Sequence, residues 1–272
     1  MKIYLKRYLI VIFILLFLTS CNKSELGQKT EAKEAGDSVI AVHTVIPEEI
    51  EKGNTENINE NYTPGNENIT INDLCFVDKN INIRYPCLSH MSNTVLEESI
   101  NDILKKQAFA EFISLGGNSE KITLELNFRV MYTNKSLLSI KYFGSVYYEG
   151  AAYPRELSYT VNINLLKGYR LQLKDFLKIN KNFVNILRSV NIPAENELAS
   201  EAFDYFNKNY SDDDIIYLLN NADSPYEDSP VIYSYFNKEL IGLIIAVPHV
   251  TGDVVELQIK WSDLKSLKSG CS

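Results

Sequence analysis

Residues 121–165 constrain the fold more than any other stretch of the chain. Ile122, Leu124, Leu126, Phe128, Val130 and Tyr132 alternate with Thr123, Glu125, Asn127, Arg129 and Met131. A period of two over this length fits a strand with one packed face and one wetter face, and does not fit a helix. Polar Thr133-Asn134-Lys135-Ser136 breaks the run. Leu138, Ile140, Tyr142, Gly144, Val146 and Tyr148 then repeat the alternation. After Gly150-Ala151-Ala152-Tyr153-Pro154, so do Leu157, Tyr159, Val161, Ile163 and Leu165. Three long runs separated by short polar breaks predict an antiparallel meander on which the rest of the domain packs.

Helical spacing appears on either side of that meander. From Asn93 to Leu115, the residues Leu96, Ile100, Ile103, Leu104, Ala108 and Phe112 fall on one side. Thr94 and Glu97 have the spacing of a capping box, and Gly116-Gly117 is a natural stop. This helix is expected to cover one face of the meander. Further helices are predicted over Asn182–Val190 and from Pro193 to Phe206. Another starts at Ser211-Asp212-Asp213-Asp214, where carboxylates complement the N-terminal dipole. Read as a calcium loop, that acidic run lacks the glycine and the distal glutamate. Asp223 to Asp228 reads as a loop. Ile241 to Val247 is apolar on both faces, so it is expected to be a buried central strand between Val231–Phe236 and Val254–Trp261. The class is α+β, with antiparallel sheets and helices packed on one face.

The start of the chain bears on the compartment. Lys2, Lys6 and Arg7 precede an unbroken apolar run from Tyr8 to Leu18, followed by Leu18-Thr19-Ser20-Cys21. This is the layout of a secretory signal, and the run is shorter than the roughly 20 residues of a bilayer crossing. The last four residues resemble the lipobox of bacterial lipoproteins. The resemblance implies that Cys21 is thioether-linked to diacylglycerol and becomes the mature N-terminus, held on a membrane surface outside the cytoplasm. Residues 22–68 hold ten acidic and four basic side chains with little periodicity. Such a segment buries too little apolar area to offset its ordering entropy. It reads as a tether with a root-mean-square reach on the order of 40 Å. The expected organisation is a signal peptide over 1–20, lipidated Cys21 and acidic tether over 21–69, an N-terminal α+β domain over 70–178, and a C-terminal helical and antiparallel-strand domain over 179–272. Removing residues 1–20 takes the formal charge from −8 to −11. This balance disfavours a nucleic-acid partner and suits a cationic one.

Residues with chemical potential are few. Cys75 and Cys87 flank a hairpin-like region and are candidates for a disulfide in an oxidising compartment; pairing of either with Cys271 is the alternative. A metal reading of Cys87 and His90 lacks further ligands at usable spacing. There is no phosphate-binding glycine loop, no G-x-S-x-G and no H-E-x-x-H. His43, His90 and His249 are scattered, and no carboxylate pair is marked out for glycan cleavage. No catalytic residue, metal or other cofactor is assigned, and Glu125 and Arg129 read as polar groups of a sheet face. One loop stands out as a ligand-binding candidate, through Tyr147, Tyr148, Glu149, Gly150, Tyr153 and Arg155. Small residues let a backbone approach closely, and Tyr and Arg favour recognition surfaces. The alternative is a tight crossover with Gly150 at a special backbone angle and the tyrosines in the core.

Several of these segments together resemble a known pair of domains. Ile83-Arg84-Tyr85-Pro86, the Asn93–Leu115 helix, the long strand pair, the Gly150–Pro154 loop, Lys167-Gly168 and Leu171-Gln172-Leu173-Lys174-Asp175-Phe176 look like the first. Tyr235-Phe236, Leu240 to Pro248 and Val255 to Trp261 look like the second. The pair is the extracellular region of lysozyme-sensing anti-sigma factors; similar modules accompany peptidoglycan deacetylases and occur in uncharacterised bacterial lipoproteins. The resemblance spans roughly residues 70–268. Gly150-Ala151-Ala152-Tyr153 departs from the Gly-Gly-Ala-His of that family at its last position. The resemblance implies non-catalytic extracellular recognition of a lysozyme-like protein or of peptidoglycan. The competing expectations are a glycan-modifying enzyme of the cell wall and an envelope assembly factor.

Overall fold

A computed structural model of the chain describes residues 69–193, 196–224 and 231–267. The signal sequence, Cys21, the tether, His43 and Cys271 lie outside the described residues.

The three alternating runs are strands β3 (Ile122–Thr133), β4 (Leu137–Tyr148) and β5 (Arg155–Asn164), paired antiparallel. With β1 (Thr70–Asp78), β2 (Ile81–Ser89) and β6 (Tyr169–Leu171) they form a six-stranded sheet in chain order. One pairing departs from the antiparallel expectation. β2 runs parallel to β3, from Ile81 opposite Leu124 to Ile83 opposite Leu126. A parallel neighbour needs a long crossover, and helix α1 (Thr94–Ser114) supplies it.

The period of two sends Leu124, Leu126, Ile140, Tyr142, Val161 and Ile163 to one face, where Ile100, Leu104, Ala108 and Phe109 of α1 meet them in a closed core. Two phenols tie helix to sheet. The Tyr142 hydroxyl donates to the Leu104 carbonyl at 3.0 Å, and the Tyr159 hydroxyl to the Ala108 carbonyl at 3.5 Å. Their rings stack 5.4 Å apart, and burial raises the pKa of both. The N-cap of α1 is Asn93, one residue ahead of the expected Thr94; its side chain accepts from the Leu96 N–H. Asn outranks Thr at this position. Glu97 instead accepts from the Met91 N–H at 2.8 Å. Gly116 and Gly117, both left-handed, end the helix region as expected.

Helices α2 (Leu173–Phe176), α3 (Lys181–Arg188), α4 (Glu197–Asn209) and α5 (Asp212–Asn220) precede a second, three-stranded antiparallel sheet. It consists of β7 (Ile232–Phe236), β8 (Leu240–Ala246) and β9 (Val254–Lys260), with the apolar β8 central. Phe183, Leu187, Phe206, Ile215 and Leu219 from the helices pack with Leu243, Ile245, Val255 and Leu257 in a core of their own. The acidic run that opens α5 is structural. Ser211 and Asp214 form a capping box, and Asp212 takes the Arg188 guanidinium at 3.1 Å. The hydrogen bond from Ser211 holds the Asp214 carboxyl below its usual range.

The face of the large sheet that points away from α1 is only partly wet, because β7 lies along β5. Lys141 of β4 forms an ion pair with Glu256 of β9, and the Tyr235 hydroxyl donates to the same carboxylate at 2.5 Å. Gly144 marks the tightest point between β3 and β4, since a Cβ there would lie 1.9 Å from the Glu125 carbonyl oxygen. Gly144→Ala is therefore expected to cost about 1–3 kcal/mol through forced backbone displacement. The measurement is the urea midpoint, with an unchanged slope.

Candidate functional site

The β4–β5 connection is a short turn. Gly150 is left-handed at φ +93°, and the Ala151 N–H closes on the Tyr148 carbonyl at 2.9 Å. The Glu149 N–H donates to the Lys121 carbonyl, also at 2.9 Å, which pins the turn to the start of β3. Both halves of the loop reading are thus visible. Gly150 has its special angle, but the tyrosines stay out of the core. Tyr147, Tyr148 and Tyr153 are all exposed, Tyr153 at 72%.

The candidate residues do not form one surface. Tyr148 stands opposite Ile122, on the side that α1 covers, while Tyr147 stands opposite Thr123 on the other side. Adjacent strand residues point to opposite faces. Arg155 stands opposite Val146 and forms an ion pair with Glu111 of α1, so its charge is already engaged. Glu149 is exposed at the tip. Tyr153 alone reaches across to the second sheet, where its ring centroid lies 6.4 Å from that of His249.

That partner lies in the exposed connection between β8 and β9, and the sequence marks its histidine without assigning it a role. His249–Thr251 forms a 3-10 turn between β8 and β9, closed by left-handed Gly252 and Asp253. The Asp253 carboxylate bridges the two sheets. One oxygen accepts the Glu156 N–H at the start of β5 at 2.8 Å, and the other lies 2.8 Å from His249 Nδ1. This contact orients the imidazole, whose side chain is about half exposed. Val250 is 88% exposed beside it. Leu198 of α4, also exposed, borders Gly252, where a Cβ would lie 3.1 Å from the leucine side chain. Tyr153 meets His249 at the junction of the sheets, and exposed Val250 and Leu198 lie on and against the same turn, an aromatic and apolar strip. An oriented imidazole can exchange a proton or accept a hydrogen bond, and the tyrosine and apolar side chains suit contact with a partner surface.

A second constellation is sealed inside. Asp223, 7% exposed and left-handed, accepts from the Ser234 N–H at 2.7 Å, the Ser234 hydroxyl at 2.5 Å and the Leu173 N–H at 3.1 Å, and its other neighbour is the Thr160 hydroxyl oxygen at 3.3 Å. Burial pushes its carboxyl up to about 7, against the pull of these hydrogen bonds. Asn162 and Thr160 both donate to the Ser234 carbonyl, and Ser139 links Asn162 to the Phe236 N–H.

The disulfide expectation for Cys75 and Cys87 is corrected. Cys75 stands opposite Arg84 and Cys87 opposite Asn72, three register positions apart on paired strands. Three positions amount to about 10 Å along a strand, and an odd offset turns the side chains to opposite faces. Both thiols are free, and burial raises the pKa of Cys87. Among the described residues no group of three or more His, Cys, Asp or Glu side chains is placed to hold a metal, and no helix is long and apolar enough to cross a membrane.

No family model and no curated protein matches the chain. Among solved structures it is similar to a DUF3298 family protein from Pseudomonas aeruginosa, with 14% identity and a TM-score of 0.43, over 76% of this chain and 96% of that one. It is also similar to a member of the same family from Bacteroides fragilis, with 12% identity and a TM-score of 0.45, over 75% and 95% of the two chains.

Asp253 holds the strip together, so its replacement tests the geometry. Asp253→Ala is expected to destabilise by about 1–2 kcal/mol, chiefly because it places alanine at a left-handed position, and it gives the exposed Glu156 N–H over to water. Amide exchange should accelerate at Glu156, and Asp253→Asn should restore most of its protection.

Proposed function

We propose that the chain is a lipid-anchored recognition protein of the bacterial cell envelope. Lipid on Cys21 holds it at the outer face of a membrane, and the acidic tether carries the folded part outward. The folded part binds without catalysis. Its ligand is a cationic protein of the lysozyme type or peptidoglycan.

The observation that carries this reading is the exposed aromatic and apolar group at the junction of the sheets, Tyr153 beside His249 with Val250 on the same turn and Leu198 against it. Exposed tyrosines on a turn pinned by backbone hydrogen bonds offer contact area at low entropic cost. The buried carboxylate Asp223, by contrast, lies in the sealed seam and is not presented to a substrate. The formal charge, −8 for the full sequence and −11 once residues 1–20 are removed, favours encounter with a basic partner.

Retention of lysozyme and of purified sacculi on the immobilised protein tests the reading. Tyr153→Ala is expected to lower retention about tenfold, as for loss of one anchor contact worth roughly 1.4 kcal/mol, with an unchanged melting temperature. Loss of lysozyme retention in high salt, with sacculi still held, would identify glycan as the ligand. Retention of neither at low salt would overturn the reading. Separately, labelled palmitate should enter the wild-type chain and not Cys21→Ser.

A further inference from the structure

The seam around Asp223 is built unlike the rest of the interior. Ser139, Thr160 and Asn162 present polar side chains from β4 and β5, and Ser234 answers from β7. Asp223 joins three elements at once: Thr160 on β5, Leu173 at the start of α2, and Ser234 on β7. Two groups that bear or can take charge face it. The Arg170 guanidinium comes from β6, but its Nη1 donates to Gln107 of α1 at 2.6 Å. The Tyr233 hydroxyl comes from β7 and is held protonated by burial. No cation among the described residues lies within ion-pair distance of the carboxylate. An ionised carboxylate closed off from water without an ion-pair partner is costly even where hydrogen bonds offset part of the cost, whereas the neutral acid is cheaper to bury and can give its proton to a neighbouring hydroxyl oxygen, Ser234 at 2.5 Å or Thr160 at 3.3 Å.

We propose that the Asp223 cluster is a proton-controlled latch between the two sheets, closed while the carboxyl carries its proton and loosened when it is ionised. The inference goes beyond the recognition reading and stands if that reading fails. It bears on the exposed strip only because Tyr153 and His249 belong to different sheets.

The direction with pH follows from linkage. In the open seam the carboxyl meets water and titrates near its ordinary value of about 3.9, whereas the closed seam holds the proton up to about 7. Between these values opening releases one proton. The opening equilibrium then rises about tenfold per pH unit and is level outside the window. The contribution of the neutral carboxyl is fully present below the ordinary value and is lost as pH rises through the closed-state value.

Hydrogen exchange on the full chain reads this directly at the Leu173 and Ser234 amides, which both donate to Asp223. After correction for intrinsic base catalysis, their opening equilibrium is expected to rise about 50-fold from pH 5 to pH 7, levelling as pH passes the closed-state value of about 7. Asp223→Asn keeps a neutral side chain at all pH values and should give a flat profile. Ser234→Ala removes a hydroxyl that favours the ionised form, so the rise should continue to higher pH before levelling. A wild-type profile already flat between pH 5 and pH 7 would overturn the latch, as would an Asp223→Asn profile that rises like wild type. If Asp223→Asn does not fold, the wild-type and Ser234→Ala profiles decide.

Discussion

The two cores of this protein meet across polar side chains, and the rest of the arrangement depends on that seam. Covering the outer side of β5 removes Thr160 and Asn162 from water, and each would cost about 1–3 kcal/mol if left without a partner. Ser234 supplies those partners through its carbonyl and hydroxyl. Among the described residues no buried side-chain nitrogen or oxygen lacks a hydrogen bond. An apolar seam would tolerate sliding of one sheet over the other. Here a shift of β7 by one residue would present Tyr233 or Tyr235 where Ser234 now fits, and every bond would be lost together.

Fixing β7 also fixes what its hairpin carries. β8 pairs in continuous register with β7 on one side and β9 on the other, so the turn between β8 and β9 has little freedom. It lands against the β4–β5 turn, with His249 beside Tyr153 and Asp253 on the Glu156 N–H. The exposed strip is thus a product of sheet packing, although every residue in it lies in a loop or at a helix start. Rigid elements position such loops, which is why contact surfaces gather there.

Much of the fold was legible because periodicity reports local exposure. The three alternating runs, α1 and its Gly116-Gly117 stop, the Ser211 cap and the buried β8 could all be read from spacing alone. The parallel β2–β3 pairing could not, because alternation does not name a neighbour. Nor could the seam: Ser139, Thr160 and Asn162 follow the same polar beat as solvent-facing residues, and nothing local says what will cover them. The candidate site was half legible. The aromatic turn at residues 147–155 was visible, but its side chains divide between the sheet faces, and the residues that complete the strip lie far along the chain at Leu198, His249 and Val250. Asp223 read as part of a loop because its composition is that of a loop; only tertiary contact reveals its burial.

Asp223 and Asp253 show how one backbone device yields two different groups. Both adopt left-handed geometry, at φ 61° and 65°, which a short polar side chain tolerates better than most. Both reach from turns flanking the second sheet to β5, at Thr160 and Glu156 respectively. At the rim, Asp253 shares its carboxylate between a backbone N–H and the half-exposed imidazole of His249. In the interior, Asp223 has hydrogen-bond donors but no ion-pair partner, so the same carboxyl is most stable there as the neutral acid. Asparagine would preserve the turn at either position and would remove the charge. The partners each carboxyl meets, rather than the turn geometry, distinguish the two clamps.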